Sequence, residues 1–332
     1  MAEQLISTAV QHTLPDSYVR AVPEVVPDAD IPVVDLANPD RAAVVTQIGA
    51  ACSSHGFFQV LNHGLPLELM LEAMAVAHEF FRLSPEEKAR LYSDDRAKKM
   101  RLSTSFNVRK ETVHNWRDYL RLHCHPLEQF VPEGPANPLP LRDVMGTYCK
   151  EVRELGFRFY AAISESMGLE QDYVKKVLGE QEQHMAANFY PKYPSPELTY
   201  GLPAHTVPNG LTTLMMDEQV TGLQVLKEGR WIAVNPRPNA FVVNRGDQWL
   251  QNCIHIHNQD KTLGGAAVGA ASRGTEAGGA ASRGALAGGA AAGGVGAGGA
   301  AKVSAAARMI NALANVTSAV VDIFKCANAN DE

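Results

Sequence analysis

The chain reads as an α+β protein, helices first and a β-rich chemical core afterward. Apolar residues recur at helical spacing through the first half, as in Leu67–Phe81 and 139–168. From about Met185 short β-branched runs follow one another at roughly 8–12-residue spacing, the texture of a sandwich or barrel. Beyond Leu263 neither pattern continues. At 332 residues with 45% hydrophobic content there is enough apolar sequence for one large core or two modest ones.

In chain order, residues 1–30 are polar and punctuated by Pro15, Pro23 and Pro27, so they are expected to drape over the surface. Ile31-Pro-Val-Val-Asp-Leu36 is a short β-branched strand. A helix is expected over 39–54, with Val44, Val45, Ile48 and Cys52 at helical spacing, and Gly56–Leu61 reads as a strand. Leu67–Phe81 carries its apolar stripe at Leu67, Met70, Leu71, Met74, Ala77, Phe80 and Phe81. Ser84-Pro-Glu-Glu87 has an N-cap serine, a proline at the first helical position and a capping-box glutamate, so a short helix starts there. Lys98-Lys-Met-Arg-Leu102, the densest positive cluster, is expected to be a solvated helix end or loop.

Trp116–His123 reads as a strand whose period of two puts Tyr119, Arg121 and His123 on one face and Leu120 and Leu122 on the other. The leucines belong in the core, so the polar face looks at solvent or a cavity. With no carboxylate pattern beside them, His55 and His63 are expected to be structural, and the His114, His123 and His125 cluster to be a chance grouping. A long helix over 139–168 ends at Gly168, and a shorter one over 170–178 stops at Gly179. Gly222–Leu226 and Trp231–Val234 flank Lys227-Glu-Gly-Arg230 as a hairpin, and Asn239–Asn244 is the next strand.

Charge and composition narrow the function classes. A net charge of −6 with no long basic block argues against a nucleic-acid binder. No stretch is apolar enough to span a bilayer, and Met1–Ile6 shows no secretory pattern. Cys52, Cys124, Cys149, Cys253 and Cys326 are scattered and odd in number, as expected of reduced thiols in a cytoplasmic protein. Leu263–Ala301 is about three-quarters Gly plus Ala, which leaves little to bury and much backbone entropy to lose, so disorder is expected there. Lys302–Cys326 recovers a helical period through Val303, Ile310, Leu313, Val316, Val320 and Phe324.

Several segments, in one order, resemble the plant 2-oxoglutarate/Fe(II)-dependent oxygenases. They are Ile31–Leu36, Cys52-Ser-Ser-His-Gly-Phe-Phe-Gln-Val-Leu-Asn-His-Gly64, Phe80–Lys88, Asn115-Trp-Arg-Asp-Tyr-Leu120, Asn188-Phe-Tyr-Pro191 and Gly222-Leu-Gln-Val-Leu226 with Trp231 and Val234-Asn-Pro236. In texture they are similar to the flavone-synthase-like and salicylate-hydroxylase-like members linked to downy-mildew susceptibility. The resemblance implies a double-stranded β-helix (jelly-roll) core wrapped by N-terminal helices, with Fe(II) and 2-oxoglutarate as cofactors and ascorbate as reductant. It implies a small phenolic substrate of the salicylate or flavonoid class. It divides the chain into a mostly helical region over 1–180, an incomplete jelly-roll core over 181–262, a Gly/Ala linker over 263–301, and an amphipathic helix with a tail over 302–332.

Carried over residue by residue, His205 matches the first iron ligand, Asn188 and Tyr190 the pair that holds the cosubstrate carboxylate, and Tyr119 and Arg121 the substrate-pocket strand. Such sites hold iron on one face with two histidines and a carboxylate, leaving the opposite face open. Here Val207 stands where the family places the aspartate, and Thr262 where it places the distal histidine. His255 and His257 fall early, in Ile254-His-Ile-His-Asn258, and are the remaining candidates for iron. The Arg-x-Ser clamp for the distal carboxylate of 2-oxoglutarate is absent after His205; Arg82-Leu-Ser84 and Arg101-Leu-Ser103 match only by letters. Losing that clamp removes a charge-assisted contact of roughly 1.5–3 kcal/mol, about one to two decades in affinity. The expectation is an oxygenase-family chain impaired at its metal site. An Ala/Gly/Arg-rich tail starting inside a motif is also what a frame shift or a wrong splice would produce.

Overall fold

The computed structural model describes residues 5–8, 15–19, 25–26, 31–105, 107, 110–192, 198–205, 210–218, 222–246 and 319–322. The linker over 263–301, residues 302–318, Val207, His255, His257 and Thr262 lie outside the described residues.

The expected α+β order holds. Strand β1 (Val25–Val26) and β2 (Val33–Asp35) precede helix α1 (Arg41–Ser54), followed by β3 (Phe57–Leu61), α2 (Leu67–Phe81) and α3 (Pro85–Leu91). Next come β4 (Met100–Thr104), β5 (Asp118–His123), the single-turn α4 (Leu127–Phe130), α5 (Leu141–Ser166) and α6 (Tyr173–Leu178). Strands β6 (His184–Phe189), β7 (Leu211–Met215), β8 (Leu223–Lys227), β9 (Arg230–Ala233), β10 (Phe241–Arg245) and β11 (Ala319–Asp322) complete it.

Local chemistry sets the boundaries. Asp40 caps α1 by accepting from the Ala43 amide at 3.1 Å. Ser84 caps α3 through the Glu87 amide at 3.2 Å, with Pro85 in the first turn. The reciprocal half of the box does not close on Ser84, because the Glu87 carboxylate takes the Asn137 amide at 2.9 Å. In the β8–β9 hairpin Glu228 (φ 51°) and Gly229 (φ 78°) are both left-handed, the two-residue turn that matches strand twist.

The strands form three sheets, ordered β1-β9-β8-β11, β2-β3-β10-β7 and β4-β5-β6. One core lies where α1, α2 and α5 pack on the second and third sheets, around Phe58, Phe80, Phe159, Leu102, Leu120 and Phe241. A smaller core of Ile31, Phe57, Tyr190, Leu223, Val225, Val234 and Val242 fills the space between the first two sheets. Phe58 and Phe159 meet edge to face at 5.8 Å, tying strand to helix.

Four expectations need correction. The leader does not simply drape: Ile6 and Tyr18 are buried against Trp116, and Asp118 holds the leader's backbone. Lys98–Leu102 is not a solvated loop, because Met100–Thr104 pairs antiparallel with β5 and buries Arg101 and Leu102. The α2 stripe is turned away from Leu67 and Leu71, which is 59% exposed, toward Met70, Ala73, Val76, Phe80 and Phe81. Within the segment expected to be helical, Ala319–Asp322 is a strand pairing with Leu223–Leu226, so this edge of β8 is covered. Among the described residues no helix is long and apolar enough to cross a membrane.

Candidate functional site

The third sheet carries the polar face expected from the sequence. Register places Ser103, Tyr119 and Asn188 side by side across β4, β5 and β6, and next to them Arg101, Arg121 and Ala186. The opposite face, with Leu102, Leu120 and Ala187 in register, belongs to the core. Period two therefore sorts this strand as read, with Tyr119 itself buried and Arg121 part-buried.

Two arginines organise this polar face, and neither was assigned a role from the sequence. The Arg117 guanidinium lies 4.5 Å over the Tyr119 ring and donates to the Ser105 carbonyl at 2.8 Å and to Asn188 Oδ1 at 3.2 Å. Because arginine can only donate, the Asn188 oxygen must face it, which leaves the Asn188 amide nitrogen to donate elsewhere. Arg101 is 4% exposed, sits 5.5 Å from the Tyr119 ring, and its Nε has no hydrogen-bond partner among the described residues. Directly across from it stands Arg121, a like-charge pairing that destabilises a bare sheet and favours an anion on that face. Burial lowers the Arg101 pKa, with the neighbouring Arg121 charge adding to it.

His205 lies at the end of the described 198–205 segment. Its Nδ1 is 3.0 Å from the Pro203 carbonyl, which can only accept, so Nδ1 carries a proton and Nε2 is the nitrogen through which this side chain could hold a metal. Trp116 fastens this segment beside the other site residues: its amide donates to the Tyr200 carbonyl at 2.7 Å and its indole to the Pro191 carbonyl at 2.8 Å. Asn188, Tyr190 and the His205 segment are thus tied to the start of β5. Tyr190 is buried in the smaller core.

A second group of metal-type donors lies farther along the same sheet. His123, Glu182 and His184 have ligand atoms within 4.8 Å of one another. His123 thus groups with His184 across the strand, not with its sequence neighbours His114 and His125. Lys99 and Arg121 stand beside these histidines and repel a cation. Burial, then the positive charge of His184, Lys99 and Arg121, pulls the His123 pKa down to about 4. Burial also lowers His55, His63 and His184, in each case as the largest cause.

A folded histidine pKa below the unfolded value means the unfolded state binds more protons between the two. Stability is therefore fully present above about pH 6.5 and is lost as pH falls toward 4. The thermal midpoint is expected to be flat above pH 7 and to drop steadily from 6.5 downward, and His123→Gln should shallow that slope. A midpoint that rises on acidification over this range contradicts the assignment.

Comparison with known proteins gives this geometry a family. Residues 31–140 match the family described as "non-haem dioxygenase in morphine synthesis N-terminal", and residues 181–263 match the 2OG-Fe(II) oxygenase superfamily. Flavanone 3-dioxygenase 2 of Oryza sativa subsp. japonica is 67% identical over 251 residues, covering 74% of this chain and 73% of the relative. The chain belongs to the 2-oxoglutarate/Fe(II) oxygenases. Protein DOWNY MILDEW RESISTANCE 6 of Arabidopsis thaliana is 56% identical over 255 residues, covering 75% of each. The solved structure of JOX2 in complex with 2OG, Fe and JA superposes with a TM-score of 0.67 at 33% identity, over 75% of each chain.

Membership in the oxygenase family brings Fe(II) and 2-oxoglutarate as the cofactors, and the two fit this chain unevenly. The Asn188 amide and buried Tyr190 supply neutral donors of the kind a carboxylate takes. Among the described residues His205 offers one imidazole nitrogen to iron, and the side chain expected at the aspartate position from the family resemblance, Val207, has no donor atom. Arg117, the missed residue, lay inside the Asn115-Trp-Arg-Asp motif and could have been found from it. Arg101 lay in a segment read as solvated, and only the pairing of β4 with β5 reveals it.

Proposed function

We propose that this oxygenase-family chain binds a small plant phenolic of the salicylate or flavonoid class and is impaired or inactive as a 2-oxoglutarate-dependent hydroxylase or desaturase. The observation that carries this is the contrast within one site. On one face of the third sheet Arg117 ties Tyr119 to Asn188, with Arg121 beside them, while His205 is followed two residues on by Val207, which has no donor atom. In this reading Asn188 and Tyr190 hold the cosubstrate carboxylate, His205 ligates iron, and Tyr119 and Arg121 face the substrate. The phenolic class is supported by the name of the rice relative, a flavanone 3-dioxygenase, and, for an anionic phenol, by the Arg101–Arg121 pairing. Fe(II) titration and succinate release with 2-oxoglutarate test it. Turnover at rates ordinary for such enzymes sinks the reading.

The same pocket wall favours a second reading, a non-catalytic protein that binds a phenolic ligand. Saturable binding with no succinate release selects it. Iron held by His205 with His255 or His257, and water in place of the carboxylate, is the remaining route to activity. Arg121→Ala is expected to weaken binding of an anionic phenol about tenfold, the worth of one charge-assisted contact. An unchanged dissociation constant removes Arg121 from the pocket.

A further inference from the structure

We infer that Cys124 and Cys149 are a reversible redox pair, oxidised by small hydroperoxides to a disulfide that locks β5 to α5. Their Sγ atoms lie 3.1 Å apart, with Cys149 donating to Cys124, and both residues are buried, at 4% and 2% exposure. Gln183 holds the two backbones at this spacing: its carbonyl accepts the Cys124 amide at 2.8 Å, and its side-chain amide donates to the Cys149 carbonyl at 2.8 Å. Closing the bond needs about 1 Å of approach between sulfurs already held from both sides.

The pair also has an access route. Cys124 and Cys149 line a small, partly open cavity of about 20 Å³ with Leu127, Phe130, Arg142 and Met145. That is room for a water-sized molecule and little more, so hydrogen peroxide fits where a bulky disulfide reagent does not. The hydrogen bond from Cys149 lowers the Cys124 pKa and raises that of Cys149, which makes Cys124 the attacking sulfur.

The chemistry balances with peroxide as the only added reactant. The Cys124 thiolate attacks one peroxide oxygen, the O–O bond breaks, and the leaving hydroxide takes a proton to become water, giving a sulfenic acid. The Cys149 sulfur, losing its proton, then attacks the Cys124 sulfur and displaces the second oxygen as water. Two thiols give up two electrons and peroxide accepts them; a dithiol reductant reverses the result.

The test uses the full wild-type chain, so it does not depend on a variant folding. The native protein is treated with hydrogen peroxide, denatured with an alkylating agent, digested and analysed by mass spectrometry. The expected product is a Cys124–Cys149 linked peptide pair, two hydrogens lighter, that dithiothreitol separates. The oxidised protein should melt about 5–10 °C higher, because the cross-link closes a loop of intermediate length. Cys149→Ser should leave a sulfenic acid at Cys124 that dimedone traps when it is present as the oxidised protein is unfolded. Both cysteines staying alkylatable at peroxide levels that oxidise other thiols of the chain overturns the inference. So does over-oxidation of Cys124 without any linked peptide.

Discussion

Asp118→Ala is expected to destabilise the protein by about 3 kcal/mol, lowering the thermal midpoint by roughly 6–12 °C. The carboxylate is fully buried and accepts the Ile6 amide at 3.0 Å and the Ser7 amide at 2.7 Å. Hydrogen bonds to a charged acceptor contribute roughly 1.5–3 kcal/mol each, and removing the acceptor leaves buried donors unmet. A second element shares the anchor. Lys88, itself buried, donates to the Ser7 carbonyl and hydroxyl, both at 3.1 Å, and to the Phe81 carbonyl at 2.8 Å. Burial lowers the Lys88 pKa, and the Asp118 charge opposes that shift. Without Asp118 the leader loses its hold and the ammonium loses its counter-charge. Asp118→Asn keeps one acceptor oxygen and should cost less than half as much. Chemical denaturation checks both; an alanine variant within 1 kcal/mol of wild type shows that the anchor is redundant.

That anchor marks the limit of what could be read from sequence. Periodicity located α2 and the polar face of β5, because apolar spacing is a local property. The cap at Ser84 was also legible, since the donor it satisfies lies three residues on. The leader's burial was not, because it depends on a carboxylate more than a hundred residues away. For the same reason Met100–Thr104 looked like a charged loop: Arg101 enters the interior through pairing with β5, where it lies over the Tyr119 ring. For the site, Asn188, Tyr190, His205, Tyr119 and Arg121 are candidates that the family resemblance supplies. Arg117 and the orientation it imposes on Asn188 needed the fold.

Val207→Asp is expected not to restore succinate release. The substitution puts a carboxylate two residues after His205, so Fe(II) binding should tighten. Turnover requires more than tighter iron. The resemblance to the family puts Thr262 where the distal histidine is expected, and no Arg-x-Ser follows His205 to grip the far carboxylate of 2-oxoglutarate. Missing that grip alone weakens the cosubstrate by one to two decades. Ligands and clamp act as a unit, so their losses do not add and one repair need not show. The informative comparison is therefore wild type, Val207→Asp, and Val207→Asp with Thr262→His, each assayed for iron affinity and for succinate. Tighter iron in the single variant with background succinate is the expected pattern. Succinate well above background from Val207→Asp alone would place a working distal ligand within the chain as it stands, and His255 or His257 would then be the residue to replace next.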